Sequence, residues 1–151
     1  FGERKVEGET RAILLTRALD GWDDLDSLLQ RWSDLGEAQQ VAILQAGGHL
    51  AQQLHRMRQV HGCFYPKHIF LRATGDGYQA QLIDLEKTRH LLFGLRDRVK
   101  DLEPLLRRAP EWSEGQLRVL LGAYLDQPQD SSLIDTWLTR LTARRSHKEK
   151  R

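Results

Sequence analysis

Residues His61 to Asp84 read HGCFYPKHIFLRATGDGYQAQLID, which gathers two histidines, a cysteine, a lysine and an aspartate into one loop, one hairpin and one strand end. Ile69 to Ala73 and Tyr78 to Asp84 are strand-like runs on either side of TGDG, where Gly75 and Gly77 readily take the positive φ of a tight hairpin. A hairpin returns the end of its second strand to the start of its first. Asp84 is therefore expected within reach of His68, and any chemistry this chain performs is expected here.

Upstream, Ile43, Gly47, Leu50, Leu54 and Met57 alternate four and three residues apart, which predicts one face of a long helix from Val41 to about Met57. The Gly47-Gly48 pair costs such a helix roughly 1–2 kcal/mol in propensity, so another backbone is expected to pack close to it. His49 and His55 lie six apart, do not share a face, and are both expected to be exposed. Earlier still, Ala12 to Leu19 (AILLTRAL) suits a strand buried on both faces, ended by Gly21. Asp23 and Asp24 then stand as N-cap and first-turn carboxylates ahead of Leu25, Leu28, Leu29 and Trp32.

Downstream the pattern is helical. Leu95, Val99, Leu102, Leu105 and Leu106 mark one face, ended by Pro110. Ser113 with Gln116 forms a capping box before Leu117, Leu120, Leu121 and Tyr124, and a last helix runs around Ile134, Trp137, Leu138 and Leu141. Trp22, Trp32, Trp112 and Trp137 read as packing residues. The expected class is α+β, mainly α, with a small hairpin at the active face.

The chain has 151 residues, 40% of them hydrophobic and 29% charged, enough for one domain with a core. Its net charge is only +2, with the excess in the terminal RRSHKEKR, a poor fit to a nucleic-acid partner. The single Cys63 excludes an internal disulfide framework and points to a reducing, cytoplasmic compartment. No window reaches the roughly 18 apolar residues of a membrane span, and no signal peptide opens the chain. It begins at Phe1 rather than Met, as a cleaved or excised piece would.

The loop by itself admits two chemistries. Cys63 is a thiol nucleophile if an imidazole activates it and Asp84 orients that imidazole. His61, Cys63, His68 and Asp84 are a candidate metal set, although the paired CxxC or HxxxH knuckles of structural zinc are absent.

The order of parts supplies a third reading. A strand, an elbow, a short helix, a longer helix, a His-led loop, a hairpin and an Asp follow one another as in the carboxyl-terminal lobe of protein-kinase-like folds. HGCFYPKHIFL with LIDLEKTR resembles the lipopolysaccharide core kinase family, the Kdo/WaaP group with its InaA branch, whose loop reads like HRDCYxxHFLL and whose later strand reads like VIDLHRA. AILLTRALDGWDDLDSLL resembles that family's strand, hinge and following helix, and Asp97 through Leu125 resembles its closing helices.

The resemblance implies residues 1–143 as a kinase-like domain, comprising the end of the small lobe, the hinge and the large lobe, with 144–151 as a basic, frayed tail. His61 becomes the brace of the catalytic loop. Asp84 and His68 become Mg²⁺ ligands, with Asp84 holding the ion over the β- and γ-phosphates of ATP. Leu19 and Asp20, in the Ala18 to Asp23 elbow, meet adenine through their backbone; Lys67, read by itself, either touches phosphate or is simply solvated. Cys63 occupies the position of the catalytic Asp, which implies either a weakened catalyst or a pseudokinase acting as a binding module. FGERKVEG resembles only the last strand of the small lobe, so most of that lobe, with its Gly-rich loop and phosphate-binding Lys, is expected to be absent from this chain. The implied acceptor is a lipopolysaccharide core sugar, heptose or Kdo, or another glycolipid of a Gram-negative cell, reached by peripheral contact with the inner membrane.

Overall fold

A computed structural model describes the backbone of residues 2–6, 9–13 and 18–149, and the side chains of 18–144. Strands β1 (Gly2–Val6) and β2 (Glu9–Ile13) pair antiparallel, from Gly2 opposite Ile13 to Val6 opposite Glu9. The strand expected over Ala12 to Leu19 is thus divided. Ala12 and Ile13 end β2, residues 14–17 lie outside the described residues, and Ala18-Leu19 is irregular. Gly21 takes φ +75° in a turn closed by the Trp22 N–H donating to the Leu19 carbonyl at 3.1 Å.

Strand β3 (Asp23–Asp24) runs into helix α1 (Leu25–Gln30), and the Asp24 carboxylate caps that helix by accepting the Ser27 N–H at 3.0 Å. Leu25, Leu28, Leu29 and Trp32 all turn inward, as their spacing requires. Helix α2 (Glu37–Arg56) buries Ile43, Leu44, Ala51 and Leu54. At Gly48 a Cβ would stand 2.8 Å from the Ala123 Cβ, so this glycine admits the backbone of α4 (Glu114–Leu125), whereas Gly47 has open space around it. Met57, assigned by its spacing to the buried face, is exposed because the helix ends at Arg56.

His55 departs from expectation in the opposite direction. It is buried, because both ring nitrogens find partners between α3 (Leu95–Arg107) and α4. Ser113 and Gln116 form the expected capping box: the Gln116 N–H donates to Ser113 Oγ at 3.3 Å and the Ser113 N–H to Gln116 Oε1 at 3.0 Å. Helix α5 (Ser132–Glu149) covers the far side and extends into the basic segment. Trp32, Trp112 and Trp137 are buried, with Trp32 against Trp112 at 5.9 Å and Trp137 against Tyr124 at 5.2 Å between ring centroids. Trp22 is half-buried and carries the Arg72 guanidinium 4.8 Å from its ring.

Against this helical body lies the sheet β3-β5-β6. Strands β5 (Ile69–Thr74) and β6 (Gly77–Leu82) pair from Ile69 opposite Leu82 to Thr74 opposite Gly77, so Gly75-Asp76 forms the turn. Gly77 takes φ +137°, while Gly75 needs no positive φ. Strand β6 stops at Leu82, so Asp84 lies just past it and opens a 3₁₀ turn over Leu85–Lys87. A smaller pair, β4 (Gln59–Val60) with β7 (Arg89–His90), closes the base of the loop. The molecule is mixed α and β, mainly helical.

Candidate functional site

Helix α2 and strand β4 deliver the chain to His61, which is fully buried. Its Nδ1 accepts the Cys63 N–H at 3.3 Å, so Nε2 carries the proton and donates to the Ile83 carbonyl at 2.9 Å. His61 therefore ties the loop to the end of β6 and has no ring nitrogen left for a metal or a thiol. Its neighbour Gly62 sits at φ +78°, where a Cβ would come within 2.7 Å of the Lys87 carbonyl. Only glycine serves there without a shift of backbone.

Beneath the loop, Asp101 of α3 accepts the His61 N–H on Oδ2 and the Gly62 N–H on Oδ1, each at 2.8 Å. Its Oδ2 also meets His55 Nε2 at 3.1 Å, and His55 Nδ1 meets the Tyr124 hydroxyl at 2.8 Å. Burial pushes the Tyr124 hydroxyl well above its ordinary pKa, which keeps it protonated and able to donate to Nδ1. His55 thus links the Tyr124 hydroxyl, on Nδ1, to the Asp101 carboxylate, which accepts from Nε2. A buried carboxylate with three donors is satisfied, and the loop backbone it holds is fixed from below.

The loop ends in a 3₁₀ turn over Pro66–His68. His68 Nδ1 donates to the Cys63 carbonyl at 2.8 Å, which leaves Nε2 facing Asp84 Oδ2 at 3.2 Å. Asp84 itself holds left-handed backbone angles, φ 58° and ψ 54°, a conformation costing a non-glycine residue about 1 kcal/mol or more. The Ile83 N–H donates to the His68 carbonyl at 3.1 Å, so the two residues are clamped by backbone as well as by side chain. His68 is buried while the Asp84 side chain is 48% exposed, so the pair presents one open side to solvent.

These contacts bring His61, Cys63, His68 and Asp84 together, but not as a four-ligand cage. Among the described residues no group of three His, Cys, Asp or Glu side chains is arranged to hold a metal. Cys63 is buried, and the His61 imidazole bonds its backbone N–H, so no thiol–imidazole pair is built. Lys67 and Asp20 are exposed, and no hydrogen bond or ion pair links either to His68 or Asp84; Leu19, half-buried, spends its carbonyl on the Gly21 turn.

Asp101, His55 and Tyr124 escaped the reading of the sequence. The available signal was faint: Asp97 and Asp101, four apart, sit beside the apolar stripe of α3. Asp97 is also buried and accepts from Arg89 at 2.9 and 3.2 Å, from the Leu92 N–H at 2.9 Å and from the Phe93 N–H at 3.0 Å. The Arg89 guanidinium, with these backbone donors, holds its carboxyl far below the usual carboxylate range.

Residues 1–124 match the model of the lipopolysaccharide kinase (Kdo/WaaP) family. Protein InaA of Escherichia coli (strain K12) is 33% identical over 95 residues, covering 61% of this chain and 44% of InaA. The solved structure of WaaP in complex with acyl carrier protein superposes with a TM-score of 0.71 at 21% identity, over 95% of this chain and 66% of that one. The chain thus spans less than two thirds of either relative.

Proposed function

Since the chain belongs to the lipopolysaccharide kinase (Kdo/WaaP) family, we propose that the protein moves the γ-phosphate of ATP to a hydroxyl of a core sugar, heptose or Kdo. In this reading the His61–His68 loop and Asp84 form the metal-facing half of the site. The observation that carries it is the approach of His68 Nε2 to Asp84 Oδ2 at 3.2 Å, with Nδ1 already donating to a carbonyl. Two acceptors held face to face, one a half-exposed carboxylate, call for a cation or a proton between them.

The donor set fits magnesium in the form a nucleotide brings it, since that ion keeps waters and phosphate oxygens and takes only one or two protein ligands. When bound, Mg²⁺ supplies neutralising charge at the β- and γ-phosphates. Asp84 would offer the carboxylate and His68 the second contact. His61 and Asp101 hold the loop still. Leu19 and Asp20 would meet adenine through the backbone beside the Gly21 turn, and exposed Lys67 has the freedom to reach a phosphate. The acceptor sugar would be met on the cytoplasmic side of the inner membrane.

A second reading rests on Cys63. A buried thiol at the position of the catalytic base offers no carboxylate to orient the acceptor hydroxyl, which favours a nucleotide-binding module that transfers nothing. Calorimetry of Mg²⁺-dependent ATP binding by the chain joined to a small lobe that carries the Gly-rich loop and Lys tests the first point. Asp84→Ala is expected to weaken it tenfold or more, and unchanged binding would remove Asp84 from the metal site. Transfer to lipopolysaccharide core sugar separates the two readings. A rate lost in Asp84→Ala and raised in Cys63→Asp describes a weakened catalyst; Mg²⁺-dependent binding with no transfer in either the wild type or Cys63→Asp describes the binding module.

A further inference from the structure

Among the described residues, every large apolar side chain that stands exposed, Leu133 excepted, falls at Met57 or between Ile83 and Leu95. Leu92 and Phe93 are the extremes on this segment, 69% and 64% exposed, with Leu85 at 55%. The two stretches are neighbours in space. Strands β4 and β7 pair Gln59 with His90, and the Leu91 N–H donates to the Arg58 carbonyl at 2.7 Å, which lays Met57-Arg58 alongside Leu91-Leu92. A soluble surface rarely gathers its exposed apolar groups this way without a partner for them.

The tip is not a loose loop. The buried Asp97 carboxylate holds the N–H groups of both Leu92 and Phe93, so their backbone is anchored while their side chains project outward. Beside them stand Arg58, whose carbonyl meets the Leu91 N–H, and Arg96, 5.8 Å from the Phe93 ring, while Lys87 is exposed on the same segment; none of the three forms an ion pair among the described residues. Of the nearby acids Asp97 is engaged by Arg89, which leaves Asp84 and Glu86 against the cations of this segment. An anchored apolar tip with a cationic rim is the pattern of interfacial binding to anionic lipid, in which side chains enter the headgroup boundary and Lys and Arg meet lipid phosphates.

We infer that the face formed by Met57-Arg58 and Ile83–Arg96 docks on the surface of an anionic phospholipid bilayer. The orientation has a consequence for the site. Leu85 follows Asp84 directly, so docking brings the His68–Asp84 pair close to the headgroup layer, where a lipid-borne acceptor presents its sugar. This consequence rests on the kinase reading; the docking surface itself does not.

Cosedimentation of the full chain with vesicles of phosphatidylethanolamine and phosphatidylglycerol, set against vesicles of phosphatidylcholine alone, tests the surface. Binding is expected to the anionic vesicles and to weaken with added salt. The double variants Leu92→Asp/Phe93→Asp and Arg58→Glu/Arg96→Glu should each bind roughly tenfold more weakly or worse, while Leu133→Asp, whose side chain lies off this face on α5, should bind as the wild type does. All substituted side chains are exposed, and circular dichroism checks that the variants remain folded. The inference is overturned by absent vesicle binding, by equal loss in Leu133→Asp, by insensitivity to both double variants, or by a dimer that Leu92→Asp/Phe93→Asp dissolves in place of vesicle binding, which would make the occupant a second copy. Vesicle binding that persists while the chain, joined to a small lobe carrying the Gly-rich loop and Lys, shows no Mg²⁺-dependent ATP binding would sink the kinase reading and leave the docking surface standing.

Discussion

Asp97 shows how one carboxylate fixes a segment and what pH does to it. Its folded pKa lies well below that of an unfolded Asp, chiefly because Arg89 and the Phe93 N–H hold the charged form. A depressed carboxylate contributes stability that is fully present above the unfolded pKa, about 3.9, and is lost as pH falls through the folded value. Arg89 is partly solvated, which limits the share owed to the ion pair. Asp97→Asn is expected to destabilise the protein by about 1–2 kcal/mol at neutral pH in urea unfolding. The gap to the wild type should hold down to about pH 4 and narrow only below it; a gap that closed between pH 7 and pH 5 would assign the effect to another group. Among individual residues, the reach of His68 to Asp84 could be anticipated, since a hairpin of known ends leaves little freedom. His61 as a brace came with the family pattern. His55 was misread as exposed, because a polar residue on a helix is assigned outward unless its partners are known, and those partners, Tyr124 and Asp101, lie 69 and 46 residues away.

The glycines of α2 carry a paired prediction about elements. Both cost helix propensity, yet only Gly48 is required by the close approach of α4. Gly48→Ala is expected to destabilise by about 1–3 kcal/mol, since backbone at Leu120 and the Ala123 methyl must yield. Gly47→Ala, with open space at its Cβ, should instead stabilise by about 0.5–1 kcal/mol. Thermal unfolding of the two variants side by side measures the contrast, and equal effects would mean that α2 and α4 do not approach as described. Helical periodicity located α1 to α4 to within a few residues because each buries one stripe, whereas α5 runs on to Glu149, past Arg144, where a frayed tail was expected. It placed Met57 wrongly, one position beyond the helix, since ends are set by local hydrogen bonding that apolar spacing does not encode. The short strands β4 and β7 left no sequence signal; two residues each are too few for alternation to register.

Across the whole molecule, a single apolar cluster runs from Leu25 to Leu141 and includes Trp32, Trp112 and Trp137. Helices far apart in sequence share this core, so they are expected to unfold together. Tryptophan fluorescence and far-ultraviolet circular dichroism should give coincident urea transitions; separated midpoints would show that α5 or the sheet melts independently of the rest. No helix among the described residues is long and apolar enough to cross a membrane, in keeping with the hydropathy of the chain.

Class, helix positions, the hairpin and the family pattern of the loop were all readable from order and spacing, because each depends on neighbours within a few residues or on a motif carried whole. The buried line from Tyr124 through His55 to Asp101, the clamp of Asp97 on Leu92 and Phe93, and the union of Met57 with the Ile83–Leu95 surface were not. Each joins segments whose separation in sequence says nothing of their distance in space. A polar side chain's role depends on which donor or acceptor it meets, and that meeting is settled only when the helices pack.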